Sequence, residues 1–128
     1  MPSMETHQAN SRLQNRHAVP RFERAFVEFE YPQPMGKRRR LSLLDMSRAG
    51  ICFALPFYGL PNLEVGAELT EVVIRVGGSE IEGTLFISHL TRESEERILC
   101  GGKFTARSGI DELQLSKTLA SLEAAPDM

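Results

Sequence analysis

The stretch Asp45-Met46-Ser47-Arg48-Ala49-Gly50-Ile51-Cys52-Phe53-Ala54-Leu55 sets a short polar step between two apolar runs. Residues two apart on a strand share a face. A strand running into this step therefore turns Met46 inward and presents the Asp45 carboxylate and Ser47 hydroxyl side by side. Gly50 ends the step, and its missing Cβ permits a left-handed backbone or the close approach of a flat ligand. Asp, Ser and Gly are also the usual turn residues, so an ordinary turn is the plainer reading of the same six positions.

Outward from this step the chain reads as strands. Upstream, Arg38 to Leu44 places Leu41 and Leu43 on one face, next to the basic cluster Lys37-Arg38-Arg39-Arg40. Before it, Ala25, Val27, Phe29 and Tyr31 alternate with Phe26, Glu28 and Glu30, the two-residue period of a half-buried strand, which Pro32 to Gly36 breaks. Downstream, Ile51 to Leu55 gives way to a long loop punctuated by Pro56, Gly59, Pro61 and Gly66. Leu69 to Val76 then predicts a strand with Thr70, Val72, Ile74 and Val76 on one face. Gly77-Gly78 is a tight-hairpin signal, because such turns need positive φ. Ile81 to Leu90 and Arg97 to Ala106 supply two further strands across the charged connection Thr91 to Glu96.

From Ser108 the period becomes helical. Ser108 and Asp111 form a capping box with Asp in place of Glu, and Ile110, Leu113, Leu119 and Leu122 mark the apolar face of one amphipathic helix. Six short strands and a terminal helix predict a mainly β fold, a small antiparallel barrel that leaves no open edge. Residues 1–15 are polar and carry no hydrophobic period, which predicts a flexible N-terminal tail ahead of one domain over 16–125.

A chain of 128 residues, 41% hydrophobic and 25% charged, has the composition of a folded domain rather than a disordered segment. Its net charge of −2 argues against coating nucleic acid by bulk charge. The basic residues are unevenly spread: eight of the fifteen lie between Arg12 and Arg40 against three acids, which points to a discrete anionic partner. Cys52 and Cys100 are too few for a disulfide scaffold or zinc site and read as core residues. No apolar stretch opens the chain and no run is long enough to span a membrane, so a soluble cytoplasmic protein is expected.

Asp45-Met46-Ser47-Arg48-Ala49-Gly50 matches the D/N-x-S-x-x-G signature of PilZ domains, and the chain resembles that family from about residue 12 to 125. Val65-Gly66 and Gly102-Lys103-Phe104 are similar as well. The resemblance implies a six-stranded antiparallel barrel of Greek-key type and a receptor for the bacterial second messenger cyclic di-GMP. The family's second signature, R-x-x-x-R before the first strand, is matched imperfectly. Arg16 and Arg21 stand one residue too far apart, while Arg12 and Arg16 have the right spacing but lie further from the strand. The implied ligand set is Arg16, Arg21, Asp45, Ser47 and Gly50, with Arg12 in reserve.

The chemistry of these side chains suits such a ligand. An arginine fork binds phosphate or grips guanine O6 and N7, and a carboxylate accepts from guanine N1–H and its amino group, an edge that adenine lacks. A hydroxyl at Ser47 adds a hydrogen bond to base, sugar or phosphate, and Gly50 leaves room for a ring. Two or three charge-assisted hydrogen bonds of roughly 1.5–3 kcal/mol each are compatible with about micromolar binding. The signalling reading adds a downstream protein effector as partner.

Two other functions compete: a PilZ-like protein-interaction adaptor that binds no nucleotide, and a small barrel for single-stranded nucleic acid. The second needs exposed aromatics for stacking, and the chain has no Trp, seven Phe and two Tyr, several at core-like positions. No nucleophile elbow, phosphate-cradling loop, close His-acid pair or metal-ligand spacing is present, so neither an enzyme nor a metal or other cofactor is expected, and DNA, RNA and membrane insertion are not expected partners.

Overall fold

Apolar alternation produces the strands, and the order in which they pair bends them into a closed wall. The computed structural model describes residues 17–18 and 24–124. In chain order these form β1 (His17–Ala18), β2 (Ala25–Tyr31), β3 (Lys37–Met46), β4 (Gly50–Pro56), β5 (Glu68–Val76), β6 (Ser79–Arg92), β7 (Arg97–Ala106) and α1 (Gly109–Ala124). The strands pair antiparallel in the order β3-β2-β5-β6-β7-β4, and a further β3–β4 pairing closes the six-stranded barrel. The two-residue β1 is added to β3. The expected tail over 1–15 lies outside the described residues.

The interior is filled as the alternation predicts for most strands. Val27 and Phe29 of β2, Ile81, Leu85 and Ile87 of β6, and Cys100 of β7 are fully buried, with Phe53 of β4 meeting Phe29 edge-on. Gly77, at φ 58°, turns the two-residue hairpin between β5 and β6. Burial raises the Cys100 thiol, with a smaller push from Cys52, to about 12, so it stays protonated at neutral pH.

The inward face of β5 differs from expectation. Leu69 is buried and Thr70 is exposed, the reverse of a strict alternation through Thr70. The register shifts between Leu69 and Val72, with Glu71 at φ 53°, so an extra residue lets both apolar side chains face the core.

The helix begins where expected. The Asp111 N–H donates to Ser108 Oγ at 3.3 Å and the Ser108 hydroxyl donates to Asp111 Oδ2 at 2.7 Å. Its buried face matches the expected one at Leu119 and Leu122 but not at Ile110 and Leu113. Leu115, Thr118 and Leu119 face the barrel with Leu122 packed beside them, while Ile110 and Leu113 are 81% and 58% exposed. The cap decides this rotation: Asp111 is itself buried and accepts from the Glu82 N–H of β6 at 2.9 Å, so the residues following it at i+4, i+7 and i+8 meet the sheet.

The outer face of β2 holds an ion cluster. Glu28, 7% exposed, accepts from Arg40 of β3 at 2.8 Å, Arg38 of β3 at 3.3 Å and Arg75 of β5 at 3.0 Å, and Arg75 also pairs with Glu80. Arg40 lies 4.3 Å over the Phe26 ring. One carboxylate thus ties three adjacent strands together. Burial pushes the Glu28 pKa up, but the hydrogen bonds from Arg75, Arg38 and Arg40 outweigh it and hold the carboxyl below its ordinary 4.5. A lowered folded pKa adds stability that is complete above the unfolded value and lost as pH falls through the folded one. Glu28→Gln should lower stability at neutral pH by about 1–2 kcal/mol and flatten the loss of Tm below pH 4.5. Melts of both proteins across that range check this; parallel curves would contradict it.

Candidate functional site

β3 is the strand on which the candidate site is built. Its residues 37–42 pair with β2 and residues 43–46 with β4, while Asp45 and Met46 also face Ala18 and His17 of β1. Leu43 pairs with Phe53 and Asp45 with Cys52, so one extra residue is accommodated between them. This bulge lets Leu43 and Met46, three apart, both point inward, at 5% and 0% exposure. Asp45 remains half-buried at the bend, between β1 and β4.

The turn that follows is locked by Ser47. The Ser47 N–H donates to the Gly50 carbonyl at 2.8 Å, and Ser47 Oγ accepts from the Ala49 and Gly50 N–H groups at 3.3 and 3.2 Å. A hydroxyl in this position satisfies backbone donors that the tight turn would otherwise orphan. Ser47 is 2% exposed, so it does not stand beside a half-exposed Asp45 on a shared outer face as expected. The plainer reading of the stretch, a turn, describes its own hydrogen bonds.

Gly50 takes extended backbone opposite Lys103 of β7, and the Ala49 carbonyl accepts from the Phe104 N–H at 3.0 Å. Of the two uses foreseen for Gly50, the left-handed one is not adopted: the positive-φ glycines are Gly59, Gly66 and Gly77. Two exposed cations, Arg48 and Lys103, flank the turn. Lys103 was not singled out as a site residue from the sequence, because its place opposite Gly50 follows from the β4–β7 register.

The arginines expected to complete the site, Arg12, Arg16 and Arg21, lie outside the described residues. Their chain neighbours His17 and Ala18 pair with Met46 and Asp45. The basic cluster 37–40 does not join the site. Arg38 and Arg40 are committed to Glu28, and Arg39 Nε donates to the Tyr31 carbonyl at 3.2 Å. These side chains hold β3 to β2. Arg38 also borders a small polar cleft, lined besides by Glu30, Gln33, Pro34, Thr70 and Glu71, and lies about 23 Å along β3 from Asp45.

Removing the Ser47 hydroxyl takes the acceptor from the buried Gly50 N–H and the half-buried Ala49 N–H. Ser47→Ala should therefore lower stability by about 1–3 kcal/mol, read by urea unfolding. An unchanged midpoint would show that the turn holds without it.

No family model and no curated protein matches the sequence. Solved structures do match. The K. pneumonia MrkH–c-di-GMP complex superposes with a TM-score of 0.73 at 19% identity, over 86% of this chain and 50% of that one. The PilZ domain of E. coli YcgR with c-di-GMP gives 0.70 at 17% identity, over 84% and 88%. The Bacillus subtilis inhibitor of motility MotI/DgrA gives 0.55 at 14%, over 80% and 49%. This chain spans about half the length of the MrkH chain. At such identities the likeness is one of fold.

Proposed function

We propose that this chain, which has the fold of a PilZ domain, is a receptor for cyclic di-GMP, binding it where β1 meets the end of β3. One observation carries the reading: the pairing of His17 and Ala18 with Met46 and Asp45. In the sequence Arg16 is the residue before His17 and Arg21 is three residues after Ala18, so both candidate arginines are near along the chain to the pair that meets Met46 and Asp45. Two of the structures sharing the fold contain c-di-GMP, which supports the same ligand class.

In this reading the Asp45 carboxylate accepts from guanine N1–H and the exocyclic amine, and Arg16 and Arg21 take phosphate oxygens or the O6/N7 edge of guanine, with Arg12 as substitute. Ser47 works through the turn: its hydroxyl holds the backbone on which Asp45 and Gly50 sit. Gly50 keeps the floor of the site free of a side chain. Arg48 and Lys103 add positive potential for a dianionic ligand. Ligand closure of the arginine segment would reach α1, which touches β1, and so alter the surface offered to a protein effector. The domain binds without chemistry in this account.

Isothermal titration tests it. The wild-type chain should bind c-di-GMP at about micromolar Kd, roughly 8 kcal/mol, and give no heat with cyclic di-AMP or GTP. Asp45→Ala and Arg21→Ala should each abolish binding while the ligand-free melt moves by little. Absence of heat with c-di-GMP at about 50 µM, well above the expected Kd, would contradict the receptor and favour the nucleotide-free adaptor.

A further inference from the structure

At the end of β4 the chain makes a second tight turn, Pro56-Phe57-Tyr58-Gly59, closed by the Gly59 N–H on the Pro56 carbonyl at 2.8 Å. Gly59 has φ +66°, a conformation that L side chains rarely adopt. The turn aims two aromatic side chains into solvent. Phe57 is 59% exposed and Tyr58 70%, with ring centroids 5.2 Å apart in an edge-to-face arrangement. The barrel has no use for them, since Ile51, Phe53 and Leu55 of β4 already face the core. Fixed, water-exposed aromatic pairs are a common mark of an interaction surface.

The turn is braced by Arg92, whose Nη2 donates to the Phe57 carbonyl at 2.7 Å and whose Nη1 donates to the Ser94 carbonyl at 3.2 Å. The aromatic turn therefore abuts the β6–β7 turn, where Glu93, Glu95 and Glu96 are all exposed. Glu93 is paired with Arg97, leaving Glu95 and Glu96 without an ion pair among the described residues. Beside the two aromatics the 92–97 turn thus sets three glutamates against Arg92 and Arg97, a net charge of −1.

We propose that this aromatic turn and its acidic rim form a docking surface for a protein segment that combines apolar side chains with lysine or arginine. The ring faces accept both aliphatic groups and cations, and the carboxylates draw basic partners and repel acidic ones. A second copy of the chain is a poor occupant, because a two-fold contact would set each glutamate rim against its own like charge. The surface is separate from the Asp45 site, as Asp45 pairs with Cys52, about 13 Å along β4 from Pro56. The proposal stands whether or not nucleotide binds there.

A synthetic peptide alternating arginine and leucine is the probe, titrated into the ¹⁵N-labelled full chain, with a glutamate-leucine peptide as control. The basic peptide should shift the amide resonances of Phe57, Tyr58 and the 93–96 turn and leave the Asp45 turn unmoved, and the acidic peptide should shift nothing. Phe57→Ser with Tyr58→Ser should weaken binding at least about tenfold. Glu95→Gln with Glu96→Gln should weaken it and reduce its salt dependence. All four positions are exposed, and an unchanged melt verifies that the fold is intact. Shifts centred elsewhere, equal binding of the acidic peptide, or full affinity in the serine variant would overturn the proposal. A sedimenting dimer that the serine variant dissolves would also overturn it, assigning the patch to a second copy.

Discussion

Closure of the barrel requires one strand to serve two neighbours, and β3 is that strand. Its first half is hydrogen-bonded to β2 and its last residues to β4, so it must bend between them. The bulge between Leu43 and Asp45 supplies the bend. It keeps Leu43 and Met46 in the core and leaves Asp45 half-buried at the junction, within reach of β1 on one side and β4 on the other. The candidate site is therefore a by-product of closing the sheet. A carboxylate at this position is held by the same pairings that hold the barrel.

Around that bend, polar groups divide between structure and chemistry. Ser47 is spent on the turn and Arg38, Arg40 and Arg75 on Glu28, while Arg48 and Lys103 stay exposed beside the turn. The turn and outer face are thus rigidified by satisfied hydrogen bonds, and Arg48 and Lys103 stand as exposed cations near the half-buried Asp45 carboxylate. The second, aromatic-rich turn lies at the far end of β4. One strand thus has two exposed cations beside its start and an acidic, aromatic surface at its end.

Much of the fold was legible because period-2 alternation is a local signal. Ala25 through Tyr31 and Arg97 through Ala106 are strands with close to the expected bounds, Gly77-Gly78 turns the hairpin, and Ser108 caps the helix. What failed depends on contacts distant in sequence. A bulge inverts the reading of Leu69 and Thr70, and a hydrogen bond between Glu82 and Asp111 brings Leu115 to the sheet with the expected Leu119 and leaves Ile110 and Leu113 outside. The basic residues from Arg12 to Arg40 read together as a sign of an anionic partner, and the strand pairing that commits Arg38 and Arg40 to Glu28 is invisible in one dimension. For the same reason Lys103, legible only within Gly102-Lys103-Phe104, is not marked by the sequence as a site residue. The Asp45 turn itself was legible as a motif, though the inward role of Ser47 was not.

The account rests on ligand binding at the junction of β1 with the bend in β3. The most direct measurement is a ¹H–¹⁵N correlation spectrum of the full chain recorded during titration with c-di-GMP. The account predicts saturable shifts concentrated on Ala18, Asp45, Arg48 to Gly50 and Lys103, with the Glu28 face of β2 unmoved. Shifts confined to that arginine face, or a spectrum unchanged at saturating nucleotide, would contradict it.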